Sequence, residues 1–560
     1  MLSTRCSLTG RAKLYSSLYL ALAISMGLTA CGGGGDSTVG TSSTDPAGSA
    51  SEVTIAIAAA TEDKVKAELE DTTEMDKDES DKACKDRNNN SFKKLLTCVT
   101  LDGVRTHQAK WRDIALANNG TRVAGTKGFD QSADYAEKVF KDAGYNVTRQ
   151  AFAFQSFIEL PGTSLVQVAP TPTAVIETNI LSYSGSGSVT ATVSVLPTVT
   201  GCNTADFAGF TAGNIALISR GACTFATKAN NAQAAGASAV VIYNNAAGEL
   251  NGTLGAEFTQ TIAVTSVLQS VGQQLAAIPN LRLSVVTSTV RGTATTTNII
   301  AESKEGDANN VVMVGAHLDS VDAGPGINDN GSGSAAILEV AKQLGKVKPR
   351  NKLRFALWSA EESGLVGSEK YVELLPEAEK NKIALYLNFD MIGSPNHVFF
   401  VYDGDNSDGV GAGAGPAGST AIEKTFETFY NKRGVSFKGT DFDGRSDYGP
   451  FIAAGIPSGG LFTGAEGTKT VAEAEVWGGI AGTAYDPCYH KACDNYGNTN
   501  LFALDVNADA VAYATLQFAM STNAVNGIKG TQPANKRSEK AQSMNPPVPA
   551  WQAYPPRFSQ

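Results

Sequence analysis

Histidine is scarce in this sequence, with four among 560 residues, so each one in a patterned position is informative. The sequence contains no Cys-x-x-Cys pair, which argues against a zinc site built from cysteine thiolates. No Gly-x-Ser-x-Gly motif stands at a strand-to-helix turn, so the usual signature of a lipase or other serine hydrolase is missing. The net charge of -10 argues against nucleic acid as a partner, because phosphates could not be neutralised in bulk.

The N-terminal apolar run, residues 18–30, is too short to predict a membrane-spanning helix. It follows Arg5, Arg11 and Lys13, and this pattern predicts a signal peptide over residues 1–30. The run ends in the sequence LTAC at 28–31, which resembles the lipobox of bacterial lipoproteins and implies lipid attachment to Cys31. An ordinary signal peptide with an incidental cysteine is the alternative. We therefore expect a protein that is lipid-anchored to the bacterial cell envelope, at the outer membrane, or secreted.

The number and spacing of the cysteines are consistent with an exported protein. Six of the eight lie beyond the signal region, and they fall into local pairs. These pairs are Cys84 with Cys98, Cys202 with Cys223, and Cys488 with Cys493. An even number in an oxidising compartment indicates three disulfides, although spacing alone leaves the other connectivities open.

The chain is long enough for two or three globular units. Its amino-acid composition changes along its length. Residues 31–60 are rich in glycine, serine and threonine and predict a flexible tether. Residues 61–100 are dense in Asp, Glu and Lys and indicate an acidic N-terminal segment or a propeptide. Residues 526–560, rich in Pro, Ser, Lys and Gln, predict a disordered tail.

Strands and helices alternate from residue 297 onward. Apolar runs predict strands at 311–316, 353–358, 384–389, 397–402 and 456–462. Helical periodicity predicts helices at 334–344, 368–375, 421–432 and 505–520. This alternation favours an α/β fold with a mostly parallel central sheet that helices cover on both faces.

Acids and histidines follow several of these strands. They are His317, Asp329, Glu361, Glu362 and Asp390, and His490 lies in the short loop between Cys488 and Cys493. A capped helix near Asp329 and a solvated glutamate pair are the alternative explanations. The set His317, Asp329, Glu362, Asp390 and His490 supplies imidazole and carboxylate ligands that suit zinc. Five ligands exceed what one catalytic zinc needs, and they suit two zinc ions that share a carboxylate.

Seven motifs follow one another in the chain: AHLDS, GINDNGSGSAA, AEESGLVGS, NFDMIGSPN, GRSDYGPF, GLFTGAEG and CYHKACD. Together they resemble the secreted bacterial leucyl aminopeptidases, the dizinc exopeptidases typified by Streptomyces and Vibrio enzymes, over roughly residues 119–520. Residues 201–243 resemble the protease-associated domain, in which a cysteine pair, here Cys202 and Cys223, ties a loop beside a small β-rich core. The resemblance implies a zinc exopeptidase fold over 101–161 and 291–525, with a β-rich protease-associated domain inserted at 162–290.

The resemblance also implies a role for each site residue. His317 and Asp390 would bind one zinc, Glu362 and His490 the other, and Asp329 would bridge them, with Glu361 as general base. Asp319 would accept the second ring N–H of His317 or act as a cap. Tyr489 would donate to the developing oxyanion or be structural.

Three residues would contact substrate. Arg445 matches a family position near the free amino group, and Met391 and Phe462 would line an apolar pocket unless they are ordinary core. Some relatives bind calcium near the positions of Asp505 and Asp509, and this site stays open here.

The expected function is a zinc-dependent aminopeptidase that removes N-terminal, hydrophobic residues from peptides, with two Zn²⁺ per chain. The expected partners are peptide substrates, with membrane contact only through a lipid anchor, and the expected state is a monomer. A glutaminyl-peptide cyclase, normally with one zinc, and a non-catalytic peptidase-like binding protein are the alternatives. The expectation of zinc rests on the family resemblance and not on the ligand types, because cobalt or manganese would accept the same ligands.

Overall fold

Two eight-stranded sheets organise the part of the chain that the structure describes. The structure is a computed structural model and describes residues 84–196, 200–246, 248–409, 411 and 413–528. The strands are β1 (Asn146–Glu159), β2 (Ser164–Ala169), β3 (Ala174–Ile176), β4 (Asn179–Ile180), β5 (Gly187–Val195), β6 (Ile215–Ser219), β7 (Ala239–Tyr243), β8 (Ala263–Val267), β9 (Arg282–Thr287), β10 (Thr289–Glu302), β11 (Asp307–His317), β12 (Asn351–Trp358), β13 (Ile383–Phe389), β14 (Phe400–Tyr402), β15 (Lys438–Thr440) and β16 (Ser458–Phe462).

Helices cover both faces of the larger sheet. The helices are α1 (Phe92–Cys98), α2 (Leu101–Ala117), α3 (Lys127–Asp142), α4 (Phe225–Ala234), α5 (Gln269–Ala276), α6 (Gly331–Leu344), α7 (Val366–Leu374), α8 (Glu377–Lys380), α9 (Ser419–Arg433), α10 (Tyr448–Ala453), α11 (Val471–Trp477), α12 (Leu501–Met520) and α13 (Asn523–Asn526). Among the described residues, none of these helices is both long enough and apolar enough to cross a bilayer.

The larger sheet has the order β1-β10-β12-β11-β13-β16-β14-β15. Its centre is parallel, because β11 pairs in parallel with β12 and with β13, and β13 pairs in parallel with β16. The flanking pairs β1/β10, β10/β12 and β14/β16 are antiparallel. The predicted α/β fold is present, with its parallel strands at the centre, where the apolar run at the end of β11 is buried.

Each face of this sheet has its own apolar core. One core includes Trp111 of α2, Phe140 of α3 and Phe355 of β12. The other core includes Trp358 of β12, Tyr386 of β13 and Phe451 of α10. The two cores hold the central strands in place, so the residues at the strand ends have a rigid base.

The second sheet belongs to a module at the tip of a long ribbon. Strands β1 and β10 pair antiparallel over their whole length, from Asn146 opposite Glu302 to Glu159 opposite Thr289. Between the ends of these strands lies the second sheet, with the order β3-β2-β9-β5-β6-β7-β8-β4. Its strands β5 to β8 are parallel neighbours, and a disulfide joins Cys202 to Cys223.

The other two predicted cysteine pairs are also bonded, Cys84 to Cys98 and Cys488 to Cys493. Helix α1 lies in the segment expected to be acidic and separate, but its Leu95 is fully buried in the main core. The described end of that segment is therefore part of the main fold. The predicted signal peptide, Cys31, the tether, residues 61–83 and residues 529–560 lie outside the described residues.

Candidate active site

Three neighbouring parallel strands bring the predicted residues to one edge of the sheet. His317 is the last residue of β11 and lies opposite Trp358, the last residue of β12. Glu361 and Glu362 follow β12 after a short turn, and Asp390 follows β13 directly. Parallel strands share their carboxyl-terminal edge, which is where open α/β sheets hold their ligands.

Asn330 attaches the start of helix α6 to this edge. Its side-chain oxygen accepts a hydrogen bond from the N–H of Gly333 at 2.9 Å, which caps the helix. Its amide donates to the carbonyl of Phe389 at 2.9 Å, at the end of β13. Asp329, the preceding residue, is thereby fixed beside Asp390.

Asp329 lies between the two site histidines. Its Oδ1 lies 3.2 Å from Nε2 of His317, and its Oδ2 lies 3.2 Å from Nε2 of His490. On one side, Nε2 of His317 also lies 3.4 Å from Oδ1 of Asp390. On the other side, Nε2 of His490 lies 3.1 Å from Oε2 of Glu362. The five predicted ligands therefore form two groups of three that share one carboxylate.

The donor atoms fit metal ions. In each group, His317 with Asp329 and Asp390, and His490 with Asp329 and Glu362, the potential ligand atoms lie within 4.8 Å of one another. Oε1 of Glu362 and Oδ1 of Asp390 are buried without a hydrogen-bond partner. Buried carboxylate oxygens without partners are costly, and a cation satisfies them. Imidazole and carboxylate donors in groups of three suit zinc with an open position.

The protonation of the metal-free cluster reflects its negative charge. Burial lowers the pKa of His490, but Glu362 and Asp329 outweigh burial and raise this pKa to about 10. Burial also lowers the pKa of His317, but the charges of Glu361 and Asp390 outweigh burial. The pKa of His317 therefore lies well above its usual value. Both imidazoles thus carry protons at neutral pH when no metal is bound. A metal ion would displace these protons.

Glu361 lies beside the five ligands, and its carboxylate forms a further group with His317 and Glu362 in which the potential ligand atoms lie within 4.8 Å of one another. Burial first, and then the charges of neighbouring carboxylates, raise its pKa well above the usual range, although His317 opposes this. Its Oε2 lies 3.9 Å from Nε2 of His317, farther than the oxygens of Asp329 and Asp390. A buried carboxyl of raised pKa beside the ligands can take a proton and return it.

Three residues around the site have left-handed backbone conformations. Ala360, directly before Glu361, has φ 57°, and Met391, directly after Asp390, has φ 50°. His490 itself has φ 55°. Such conformations cost on the order of 1–3 kcal/mol each and concentrate at functional sites, where the surrounding fold holds them. Here they orient the glutamate pair, Asp390 and the imidazole.

Asp319, which was expected to contact the ring of His317 or to act as a cap, contacts the backbone of the two glutamates. Its carboxylate oxygens accept hydrogen bonds from the backbone N–H groups of Glu361 and Glu362, each at 3.3 Å. Nδ1 of His317 lies 3.2 Å from the backbone carbonyl of Asp319 and 3.7 Å from its carboxylate. The residue thus positions the glutamate turn, and its main chain contacts the second ring nitrogen of His317.

Two further acids fix the loop of His490, and motif analysis missed both. Asp494 accepts hydrogen bonds from the N–H groups of Asn328 and Asp329. Asp486 accepts from the side chain of Asn328 at 2.7 Å and from the N–H of Cys488 at 2.9 Å. The available signal was their position just outside the cysteine pair.

Arg122 is a further residue that motif analysis missed. Its guanidinium is fully buried and donates to the carbonyls of Leu318, Pro325 and Gly326. Burial lowers its pKa to about 10, against the nearby carboxylates that raise it, so it stays charged at neutral pH. It braces the loop between β11 and Asp329. An isolated arginine in a loop carries no sequence signal for this role.

A cavity of about 250 Å³ opens onto the ligands. Its lining includes Asp329, Glu361, Glu362, Asp390, Met391, Phe400, Tyr402, Arg445, Phe462, Glu466, Tyr485, Tyr489 and His490. All the residues predicted to contact substrate, Arg445, Met391 and Phe462, therefore lie at this cavity. Phe400, Tyr402 and Tyr485, which were not predicted, add aromatic walls.

Tyr489 and Arg445 lie together at the opening. The ring of Tyr489 stacks on His490 with centroids 3.8 Å apart. Arg445 donates to Oη of Tyr489 at 3.2 Å and to Glu466 at 2.6 Å. Burial raises the pKa of Tyr489 well above its usual value, so its hydroxyl keeps its proton.

The candidate calcium residues lie away from this cavity, on α12. Arg433 pairs with Asp509 at 2.8 Å. Burial raises the pKa of Asp505, and the charge of Arg433 opposes this shift. A guanidinium thus already supplies positive charge at the position where calcium was considered.

Comparison with known proteins decides the family. The family model described as Peptidase family M28 matches residues 298–515, and that of the PA domain matches residues 187–275. An aminopeptidase of Pseudomonas aeruginosa is 45% identical over 476 residues, which cover 82% of this chain and 88% of that protein. The chain belongs to peptidase family M28. The predictions of family, fold class, inserted protease-associated domain and aminopeptidase activity are thereby confirmed.

Other M28-like relatives agree. A probable lipoprotein aminopeptidase, LpqL, of Mycobacterium tuberculosis is 42% identical, covering 78% of this chain and 88% of its own length. Among solved structures, an aminopeptidase from Aneurinibacillus sp. strain AM-1 has a TM-score of 0.61 and 30% identity, covering 76% of this chain and 96% of that chain. A zinc aminopeptidase from Bacillus subtilis has a TM-score of 0.56 and 26% identity, covering 75% and 95%.

Proposed function

We propose that this M28 aminopeptidase uses two zinc ions to remove an N-terminal hydrophobic residue from peptides outside the cytoplasm. One observation carries the proposal: Asp329 lies 3.2 Å from both His317 and His490, and so joins two groups of ligands at the mouth of a cavity. A carboxylate shared in this way is what two neighbouring metal ions require. A site for a single zinc would leave part of this set unused.

The ligand assignment follows the two groups. His317 and Asp390 would hold one zinc, Glu362 and His490 would hold the other, and Asp329 would be shared by the two groups. When bound, zinc polarises the scissile carbonyl and lowers the pKa of water. Ser446 donates to Oδ2 of Asp390 at 2.6 Å, which leaves the Oδ1 atom of Asp390 facing His317 for the metal.

Glu361 performs the proton transfers in this proposal. Its backbone is held by Asp319, and its carboxylate lines the cavity beside the ligands. It accepts a proton from the attacking water and returns that proton to the leaving amine when the peptide bond breaks. Its raised pKa favours this exchange, because a carboxylate of higher pKa accepts a proton from water more readily.

Tyr489 stabilises the developing oxyanion. Its hydroxyl keeps its proton because burial raises its pKa, and Arg445 donates to the same oxygen at 3.2 Å. Arg445 therefore orients the phenol, and a donor that is already in place stabilises charge as it develops. Arg445 and Glu466, paired at 2.6 Å, also form the polar side of the opening where the substrate's amino terminus enters.

The cavity's apolar side accounts for the proposed preference. Met391, Phe400 and Phe462 line it together with the rings of Tyr402 and Tyr485. Such walls favour a leucine-like first side chain, because apolar burial contributes roughly 25 cal/mol per Å². Each additional methylene that contacts the walls changes selectivity by about tenfold or somewhat more.

We further propose that the protein is exported and that Cys31 is lipidated. The support is the LTAC sequence at 28–31 and three disulfides, which form and persist outside the cytoplasm. The relative LpqL is itself named a probable lipoprotein. Mass spectrometry of the mature N-terminus tests this directly, since an unmodified N-terminus downstream of Cys31 would contradict lipidation.

The test of the catalytic proposal is hydrolysis of leucyl-p-nitroanilide by the purified mature protein. We expect cleavage of the free-amine substrate, loss on chelation, recovery with zinc, and no cleavage of the N-blocked substrate. Alanyl-p-nitroanilide should be cleaved less efficiently than the leucyl substrate. Failure to cleave any of these by protein with two bound metals would contradict the proposal, and glutaminyl peptides would then test the cyclase alternative.

A further inference from the structure

The protease-associated module contacts both loops that carry the Glu362–His490 group. The hydroxyl of Tyr183, in the module, donates to the backbone carbonyl of Gln155 at 2.9 Å and lies 3.4 Å from the backbone carbonyl of Ser363, next to Glu362. Glu249, also in the module, pairs with Lys491 at 3.0 Å, next to His490. The module therefore stands beside the opening of the cavity, although the cavity lining itself comes from the catalytic domain.

Arg220 of the module belongs to the same corner as Glu249. It follows strand β6, and its Nη1 donates to Oδ1 of Asn244 at 3.2 Å. The amide of Asn244 donates in turn to the backbone carbonyls of Gly248 at 3.0 Å and Glu249 at 3.3 Å. This continuous set of hydrogen bonds places Arg220 close to the Glu249–Lys491 contact, at the side of the His490 loop.

The loop that carries Arg220 is held firmly. The buried ammonium of Lys228 donates to the carbonyls of Gly221 at 2.7 Å and Thr200 at 2.6 Å. The disulfide between Cys202 and Cys223 closes the same loop. Arg220 is therefore pre-positioned, and a ligand would pay little conformational entropy to engage it.

The guanidinium of Arg220 has no carboxylate within ion-pair distance among the described residues. Its charged neighbours are Arg445 and Glu466 at the cavity opening. Burial is the main cause of the lowered pKa of Arg220; the charge of Arg445 lowers this pKa further, and the charge of Glu466 raises it. Glu466 is already engaged by Arg445 at 2.6 Å. Arg220 is thus a half-buried arginine of the module that lies near the Arg445–Glu466 pair and has no ion-pair partner of its own among the described residues.

We infer that Arg220 binds a carboxylate on the part of the peptide that lies beyond the scissile bond. This inference rests on the proposed function: the amino terminus enters the cavity, so the remaining chain leaves past the rim where the module stands. The planar guanidinium donates two parallel hydrogen bonds to a carboxylate. Its ligand is the C-terminal carboxylate of a short peptide, or an acidic side chain at the equivalent distance. The module thereby selects substrates through Arg220.

The experiment compares matched peptides that differ in one charge. Leucyl-glycine, leucyl-glycyl-glycine and leucyl-triglycine are each paired with their C-terminal amides, and leucyl-glycyl-aspartic acid α-amide tests a side-chain carboxylate. For each pair the ratio of kcat/KM between acid and amide is measured with the wild-type holoenzyme and with Arg220→Gln. The matched control is Arg282→Gln, an exposed arginine at the start of β9 in the same module.

We expect the wild type to prefer the acid over the amide by about tenfold at one peptide length, through KM. Arg220→Gln should bring that ratio close to one, Arg220→Lys should restore part of it, and Arg282→Gln should keep it. Preference for the aspartyl amide instead of the C-terminal acid would assign the side chain as the ligand. The inference is overturned if no wild-type pair differs, or if Arg220→Gln keeps the ratio. Failure of the proposed function gives a different result from failure of this inference, because the wild type would then not cleave leucyl-p-nitroanilide at all.

Discussion

The carboxylate of Asp494 accepts a hydrogen bond from the backbone N–H of Asp329 at 2.9 Å. Its other oxygen accepts from the N–H of Asn328 at 2.8 Å. Asp329 is the residue whose two oxygens face the two site histidines, so Asp494 positions the carboxylate that lies between them. The loop that follows the Cys488–Cys493 pair thus positions a residue more than 150 positions earlier in the chain.

Removing this carboxylate should weaken metal binding without removing any ligand. We expect Asp494→Ala to lower zinc affinity by about 10–100-fold, as loss of a partner behind the ligands typically does. The measurement is competition for zinc with a chelator of known affinity. Asp113→Ala, on the exposed face of α2, is the control and should bind as the wild type does. Wild-type affinity in Asp494→Ala would show that Asp329 needs no such support.

The disulfide between Cys488 and Cys493 encloses both Tyr489 and His490. Replacing both cysteines by serine should loosen this loop and lower the affinity for the zinc ion that we propose His490 and Glu362 bind. Zinc content per chain during graded chelation, with turnover followed in parallel, measures the effect. Replacement of the Cys84–Cys98 pair, far from the ligands in sequence and beside α1, is the control. Equal zinc retention by both variants would contradict a role for the disulfide at the site.

Zinc uptake by the metal-free protein should release protons. The pKa of His490 is raised to about 10 and that of His317 lies well above its usual value, so both imidazoles are protonated at pH 7. Zinc binds the neutral ring nitrogen, so its affinity should fall as the pH falls below these values and rise with increasing pH. Calorimetric titration in two buffers of different ionisation enthalpy measures the protons released.

His397 provides the control for this titration. It lies outside the site, and burial, followed by the charge of Lys469, lowers its pKa to about 4. It is therefore neutral at pH 7, and His397→Asn should release as many protons as the wild type. Binding enthalpies that do not depend on the buffer would contradict protonated imidazoles in the metal-free site.

The sequence was sufficient to predict the centre of the fold and the set of candidate ligands. Short apolar runs predict β11, β12 and β13, and the acids and histidine that follow them must meet because parallel strands share one edge. The structure brings all five of these residues together, with Glu361 beside them. Their roles at metal remain a proposal.

The supporting residues could not be predicted in the same way. Arg122 and Asp494 act through backbone groups of distant loops, and no periodic pattern marks such contacts. The carboxylate of Asp319 could have served the imidazole or the glutamate turn, and only the loop geometry decides between them. The contact between Glu249 and Lys491 depends on where the ribbon β1/β10 places the module, which local sequence does not encode.

The most direct test of the central claim is turnover of leucyl-p-nitroanilide by Glu361→Gln, with zinc counted on the same sample. The account predicts two zinc ions per chain, because the five ligands are intact, and a loss of turnover of at least about a hundredfold, because the proton acceptor is gone. Turnover near that of the wild type would remove Glu361 as the general base. Loss of zinc together with turnover would instead make Glu361 a ligand, and would contradict the division of the site into two groups that share Asp329.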